Sequence, residues 1–201
     1  MLAHLRPALA LTLVFTLITG LLYPLAMTGV AQALFAGAAN GSIIERDGTV
    51  IGSALVAQPF AGAGYLHPRP SASGWNAAGT GASNLGPTSA ALVAEVAARR
   101  AAFEAANGAP APIDAVTASG SGLDPDISPE NALAQAGRIA AARGADPAAV
   151  RALIAQHVRG RLFGLYGEPR VNVLAVIMAL DMALDATAPL APADGGGQPS
   201  P

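Results

Sequence analysis

Neither cysteine nor lysine occurs anywhere in the 201 residues. The first absence excludes disulfides, thiolate nucleophiles and cysteine-ligated metals, and it leaves the redox compartment open. The second removes Schiff-base chemistry and the lysine with which a P-loop holds β- and γ-phosphates. All 11 basic residues are therefore arginine. Charged residues amount to only 12% and the net charge is −2, so no basic face is available for a nucleic-acid backbone. The histidines (His4, His67, His157) show no ligand spacing and the carboxylates are scattered, so no metal site is expected.

What the chain does have in quantity is apolar sequence at its start. From Pro7 to Ile44 there is no charged residue, and Ala8–Phe35 is dense in Leu, Val, Ile and Phe. About 20 apolar residues suffice to cross the hydrocarbon of a bilayer, so a membrane helix is expected, with Pro24 marking a kink or an interface. Thr12, Thr16 and Thr19 recur at helical spacing. They either hydrogen-bond a neighbouring helix, which Gly20 would let approach, or satisfy themselves on their own backbone. A cleavable signal peptide is the rival reading, with Ala31-Gln32-Ala33 as the cleavage site and a mature start near Leu34. The apolar run, however, exceeds the roughly 7–15 residues of a signal core. Arg6 precedes the span and Arg46 is the next arginine, so the positive-inside bias puts the amino terminus in the cytoplasm and the rest outside.

Beyond the span, Gly41–Gln58 reads as two short strands about an Asp47-Gly48 turn. Phe60–Ser89, rich in Gly and Pro, is too long for an idle connection. Its Tyr65, Leu66, Trp75 and Leu85 suggest an ordered surface that meets something. Thr88 is the expected N-cap of a helix carrying Leu92, Val96 and Phe103 on one face, with a Glu95–Arg99 pair and Gly108 at its end. Ala111–Ser119 has a strand-like core. Ser128-Pro129 opens a helix that runs to about Arg143 before Gly144. Asp146-Pro147 opens another, whose stripe is Val150, Leu153, Ile154 and Val158, with His157 at its flank. Arg170–Asp185 is a buried strand-to-helix or helix element, too short for a second span. These signals give an α+β class: an anchor helix (1–36), one small mixed α/β soluble domain (37–185) and a disordered tail (186–201).

"VTASGSGLDPDISPENA" (Val116–Ala132) raises the question of chemistry. Glycines before a helix are what a phosphate loop needs, but the Walker lysine is missing and Pro125 stands where a dinucleotide fingerprint wants glycine. A nucleophile elbow wants Gly-x-Ser-x-Gly, and Ser119 occupies its first glycine position relative to Ser121. The simpler reading is a tight turn: small residues, an Asp124-Pro125 turn and a Ser128 cap. A second cluster, Tyr65–Trp75, combines Arg69 with Tyr65 and Trp75. Such residues anchor interfaces, or else merely close the core while Arg69 caps a carbonyl.

In order along the chain, "LRPAL", "TGLLYPL", "ANGSII", "IGSALVAQPF", "YLHPRPSA", "SNLGPTS", the glycine-serine stretch and "VNVLAVIMALD" resemble one family. It is the C subunit of the Kdp high-affinity potassium-transporting ATPase of bacteria. The resemblance implies a non-catalytic accessory subunit with one membrane helix in the inner membrane. Its partners would be a channel-like potassium-translocating chain, a P-type ATPase chain and a small hydrophobic chain. It also implies a catalytic-chaperone role that raises ATP affinity, with Ser119, Gly120, Ser121, Gly122 and Asp124 as the nucleotide-holding stretch; no intrinsic cofactor is expected, and ATP would enter only through that role. The positive-inside reading opposes direct ATP contact, because it places the domain on the outer face.

The expected partner surface is Tyr65, Arg69, Ser71, Ser83, Asn84, Leu85 and Gly86, and the expected helix-packing residues are Thr12, Thr16, Thr19 and Gly20. The phosphorylatable Asp-Lys-Thr-Gly of P-type ATPases is absent from the sequence. Asp126, Ala82, Ala175 and Ile177 depart from the family pattern, so no role is transferred to them. Two alternatives of other classes are a serine hydrolase using Ser119 or Ser121, and a processed periplasmic binding protein.

Overall fold

The computed structural model describes residues 4–46 and 48–184. The expected tail at 186–201, and Asp47 of the hairpin turn, lie outside them. The chain divides into two compact units between Ile43 and Ile44.

The first unit is helical because its residues are mostly good helix formers and its two prolines, Pro7 and Pro24, both stand in the first turn of a helical segment. α1 (Leu5–Leu17), a π-helical segment (Ile18–Leu22) and α2 (Tyr23–Leu34) follow without a break. Together they make a 30-residue helix, Leu5–Leu34, long and apolar enough to cross a membrane. The irregularity expected at Pro24 takes the form of the π-segment. Pro24 sits in the first turn of α2, where its missing N–H and its ring are tolerated once the preceding turn widens. Thr12 and Thr19 donate to the carbonyls of Ala8 (2.9 Å) and Phe15 (2.6 Å), as the self-satisfying reading expects. A short α3 (Ala36–Ala39) follows, and the side chains of Asn40 and Gln32 bond reciprocally at 3.1 and 3.2 Å.

The second unit is the α+β lobe. β1 (Ile43–Arg46) and β2 (Thr49–Ser53) form the expected hairpin sheet. α4 (Ala90–Asn107) is capped by Ser89, one residue later than expected. Ser89 has the extended backbone a cap needs (ψ 124°), and its hydroxyl accepts from Leu92 N–H. The expected strand at Ala111–Ser119 is instead a one-turn helix, α5 (Ile113–Val116), which leaves Ile113 81% exposed. The cause is Asp114. Its carboxylate accepts from Ser128 N–H (2.8 Å), Ser128 Oγ (2.9 Å) and Asn131 Nδ2 (3.1 Å), which draws the chain into a turn against the next helix.

A three-stranded antiparallel sheet is ordered β3 (Asp126–Ile127), β5 (Arg170–Asn172), β4 (Val158–Arg159), with Ile127 and Val158 both opposite Val171. α6 (Pro129–Arg143) and α7 (Pro147–Gln156) start at Ser128 and Asp146 as expected, with Gly144 ending α6 at φ 62°. Val158 is not on the α7 stripe. The helix stops at His157, whose Nδ1 lies 2.8 Å from Leu153 O, and Val158 turns into β4. Arg170–Leu184 is the strand-to-helix element, β5 running into α8 (Val173–Leu184). The core joins Ile139 and Ala140 of α6, Val150 and Ile154 of α7, Val176, Ile177 and Leu180 of α8, Val171 and Leu66. The side chains of Arg143 and Asp181, both buried, pair across it at 2.8 Å.

Candidate functional site

Most of the residues singled out in the sequence meet in one knot of loops. The Phe60–Ser89 segment has no helix or strand, yet its backbone is tied down along its length. Polar side chains of α6 clamp its first part. Gln135 Oε1 accepts from His67 N–H (2.8 Å), while Arg138 donates to the carbonyls of Ala63 (2.6 Å) and Tyr65 (3.0 Å). Arg143 Nε donates to Gly64 O at 2.7 Å, and its guanidinium lies over the Tyr65 ring, 5.4 Å from the centroid. Burial and the neighbouring Arg138 charge hold the His67 imidazole below its ordinary value near 6.5, against the opposing effect of its bond to Gly62 O.

That shift has a testable sign. The unfolded chain takes up the His67 proton first, so this contribution to stability is complete above about pH 6.5 and is lost as pH falls through that value toward the lower folded pKa. The unfolding midpoint should therefore drop more steeply between pH 7 and 5 in the wild type than in His67→Gln. Equal slopes would refute the assignment.

The second part of the segment is woven into the glycine-serine stretch. Ser119 N–H donates to Pro70 O (2.9 Å) and Gly81 N–H to Ser121 O (2.9 Å). Ser71 Oγ donates to Gly122 O (2.7 Å), and Ser119 Oγ accepts from Gly122 N–H (3.0 Å) and touches Ser121 Oγ (3.1 Å). Gly122 is glycine of necessity. Its φ is +71°, and a Cβ there would meet Ser73 Oγ and, at 2.8 Å, Gly81 O. Arg69 pairs with Asp124 at 3.0 Å and reaches the carbonyls of Thr117 and Ala118, each at 3.4 Å. The small residues of Thr117–Gly122 thus let a second loop lie against them.

These bonds bear on both chemistries raised by the sequence. The N–H groups of Ser119 and Gly122, which a phosphate would use, already donate within the protein. Leu123 N–H donates to Ser121 Oγ (3.1 Å), and the nearest arginine, Arg69, is neutralised by Asp124. The loop therefore fits a braced turn better than a triphosphate cradle. The serine hydroxyls bond to each other and to backbone N–H groups, whereas the imidazole rings of His67 and His157 lie against backbone carbonyls. Beside the knot lies an open cavity of about 310 Å³. Its wall includes Asp114, Asp124, Asp126 and Glu168 together with Arg69 and Arg170; Arg69 pairs with Asp124 and Arg170 with Asp126 (both 3.0 Å), while Asp114 accepts from Ser128 and Asn131 and Glu168 pairs with Arg161.

Of the expected partner surface, Tyr65, Arg69 and Ser71 are engaged inside the lobe. Ser83 and Leu85 are half-buried, whereas Asn84 (φ 54°) and Gly86 are exposed. The sequence reading passed over another surface entirely. Between β4 and β5 a tight loop, closed by a Leu162–Tyr166 bridge, carries Leu162, Phe163, Leu165 and Tyr166 at 62, 85, 74 and 69% exposure. Gly164 and Gly167, both at positive φ, shape the turn, and Arg161 pairs with Glu168 at 2.7 Å at its base. The signal for it was present in "LFGLYG": four large apolar residues punctuated by glycine, with no helical or strand period to bury them.

The fold defines a small α+β lobe joined to an apolar helix of membrane-spanning length. The family model described as "K+-transporting ATPase, c chain" matches residues 5–182. A protein of Cereibacter sphaeroides (strain ATCC 17029) named potassium-transporting ATPase KdpC subunit is 67% identical over 91% of this chain and 99% of its own length. Proteins of the same name from Rhodospirillum rubrum and Methylorubrum populi are 57% and 54% identical, each over 90% of this chain and 96% and 98% of their own lengths. The chain belongs to this family of potassium-transporting ATPase c chains, as the ordered motifs implied.

Proposed function

We propose that the chain is a non-catalytic accessory subunit of an ATP-driven potassium uptake complex. In this reading residues up to about 36 stay in the inner membrane with the amino terminus in the cytoplasm, and the lobe stands on the outer face as a scaffold for the larger subunits. The partners are those the family implies: the potassium-translocating chain, the P-type ATPase chain and the small hydrophobic chain. The observation that carries the scaffold reading is the Leu162–Tyr166 tip. Large apolar side chains displayed together on one loop mark a contact surface, and among the described residues nothing covers these. The Ser83–Gly86 loop, with Asn84 and Gly86 free of the core, is a second candidate for that contact.

A chaperone effect on ATP affinity then passes through contact with the ATPase subunit. The engaged N–H groups of Ser119 and Gly122 and the outer placement of the lobe both favour that route over direct nucleotide binding by this chain.

Replacing Phe163 and Leu165 by aspartate tests the scaffold. Exposed substitutions of this kind change stability by no more than about 0.5 kcal/mol, so the lobe should melt as before. Co-purification of the larger subunits in mild detergent should fall at least tenfold. Retention at the wild-type level would remove the tip from the interface.

A further inference from the structure

The middle of the apolar helix has more carbonyls than donors. Tyr23 N–H bonds to Ile18 O, five residues back, and from Tyr23 onward α2 follows the usual four-residue step, so Met27 N–H takes Tyr23 O. Between these two bonds stand the carbonyls of Thr19, Gly20, Leu21 and Leu22, but the only N–H groups are those of Leu25 and Ala26, because Pro24 has none. Two carbonyls are therefore left without a helix donor. Side chains of the same helix do not make up the deficit. Thr19 donates backward to Phe15 O, Leu25 and Ala26 carry no donor, and the hydroxyl of Tyr23 sits at the far end of its ring. The deficit lies at the midpoint of Leu5–Leu34, the depth at which a bilayer offers least water.

At that level the helix also carries a strip of backbone with no side chain over it. Gly20 has no side chain, and a Cβ built there would meet only its own Thr16 Cγ2, at 4.0 Å. We infer that a transmembrane helix of another subunit docks against the Thr16–Gly20 face and donates a side-chain hydrogen bond to a carbonyl within Thr19–Leu22. A polar donor in a neighbouring helix is one way in which backbone groups freed by an intramembrane proline are satisfied, and here the local π-segment still leaves two carbonyls over. The inference rests on the subunit reading above and adds to it a place and a chemistry: the partner carries an hydroxyl, amide or indole donor at the bilayer midplane, opposite a glycine.

The test uses the whole complex, co-expressed with this full chain. A benzophenone amino acid is placed at Thr16 or at Ile18, which lies about 200° away around the helix. Position 16 should give at least tenfold more adduct with a larger subunit than position 18, and the adducted segment should contain Ser, Thr, Asn, Gln, Tyr or Trp within one turn. Gly20→Leu should cut co-purification of the larger subunits at least fivefold, whereas Gly29→Leu, whose added Cβ likewise has open space, should not. Equal adducts from both positions, adducts only with a second copy of this chain, a purely aliphatic adducted segment, or wild-type retention of Gly20→Leu would each overturn the inference. If the unmodified chain itself fails to co-purify with any larger subunit, the accessory-subunit reading is what falls.

Discussion

Asp181→Ala should cost the lobe about 3–5 kcal/mol, because it strands a buried guanidinium. The side chains of Arg143 and Asp181 are 5 and 3% exposed and face each other at 2.8 Å. Arg143 cannot give up its proton, so without the carboxylate its charge stays in the core. Its Nε bond to Gly64 O and its place over the Tyr65 ring fix the guanidinium there and prevent escape to water. Arg46, the other cation near Asp181 at 3.9 Å, carries the same charge as Arg143 and cannot replace the lost carboxylate. For a chain of this length each kcal/mol moves the melting point by about 2–4 °C, which puts the expected fall near 10 °C.

The double variant Asp181→Leu with Arg143→Met removes both charges and should recover much of that loss. Buried pairs often contribute little net stability over apolar residues of similar size. Thermal unfolding of the purified full chain, followed by near-ultraviolet circular dichroism, reads both. A single-variant loss below about 1 kcal/mol would mean the pair is hydrated and the core is less closed at α8 than described.

The second large effect is expected at Leu66. Leu66→Ala should destabilise the lobe by about 2–5 kcal/mol, the range for truncating a fully buried leucine. Leu66 is 0% exposed and packs with Ile139, Val176 and Ile177 in the core. It lies in a segment with no helix or strand, so its burial couples the Phe60–Ser89 segment to α6. The bonds from Gln135 to His67 N–H and from Arg138 to the carbonyls of Ala63 and Tyr65 sit beside it and depend on the same placement. Limited proteolysis should therefore cut between residues 60 and 89 far sooner in the variant. Leu162→Ala, which removes a side chain of the same chemistry that is 62% exposed, should change stability by no more than about 0.5 kcal/mol. If the two variants melt alike, the segment is not anchored through Leu66.

That contrast shows where sequence reading reached its limit. Leu66 and Phe163 are both large apolar residues in stretches without period, and local pattern treats them alike. One ends inside the core and the other at the tip of a loop, because the polar arms of α6 pull the first stretch inward while β4 and β5 project the second outward. Asp114 makes the same point for secondary structure. "APIDAV" has strand-like composition, but a carboxylate reaching the start of α6 turns it into α5. The glycine-serine stretch was legible as a turn, since no lysine and no complete motif accompanied its glycines. That its small residues serve to receive a second loop was not legible, because Ser71 and Ser73 lie 51 and 49 residues before Gly122, and Gly81 too is distant in the chain.

Sequence alone determined what is local or covalent. The absence of cysteine and lysine closed whole chemistries, and the uncharged run from Pro7 to Ile44 made an apolar helix. Ser128-Pro129, Asp146-Pro147, Gly108 and Gly144 set helix ends through bonds and backbone angles that reach only a few residues. The order of its motifs gave the family. Tertiary structure decided which apolar residues are core and which are display, which polar residues brace loops, and where Arg143 finds Asp181. Those outcomes depend on the three-dimensional meeting of segments far apart in the chain, and a periodic pattern carries no information about distance across a fold.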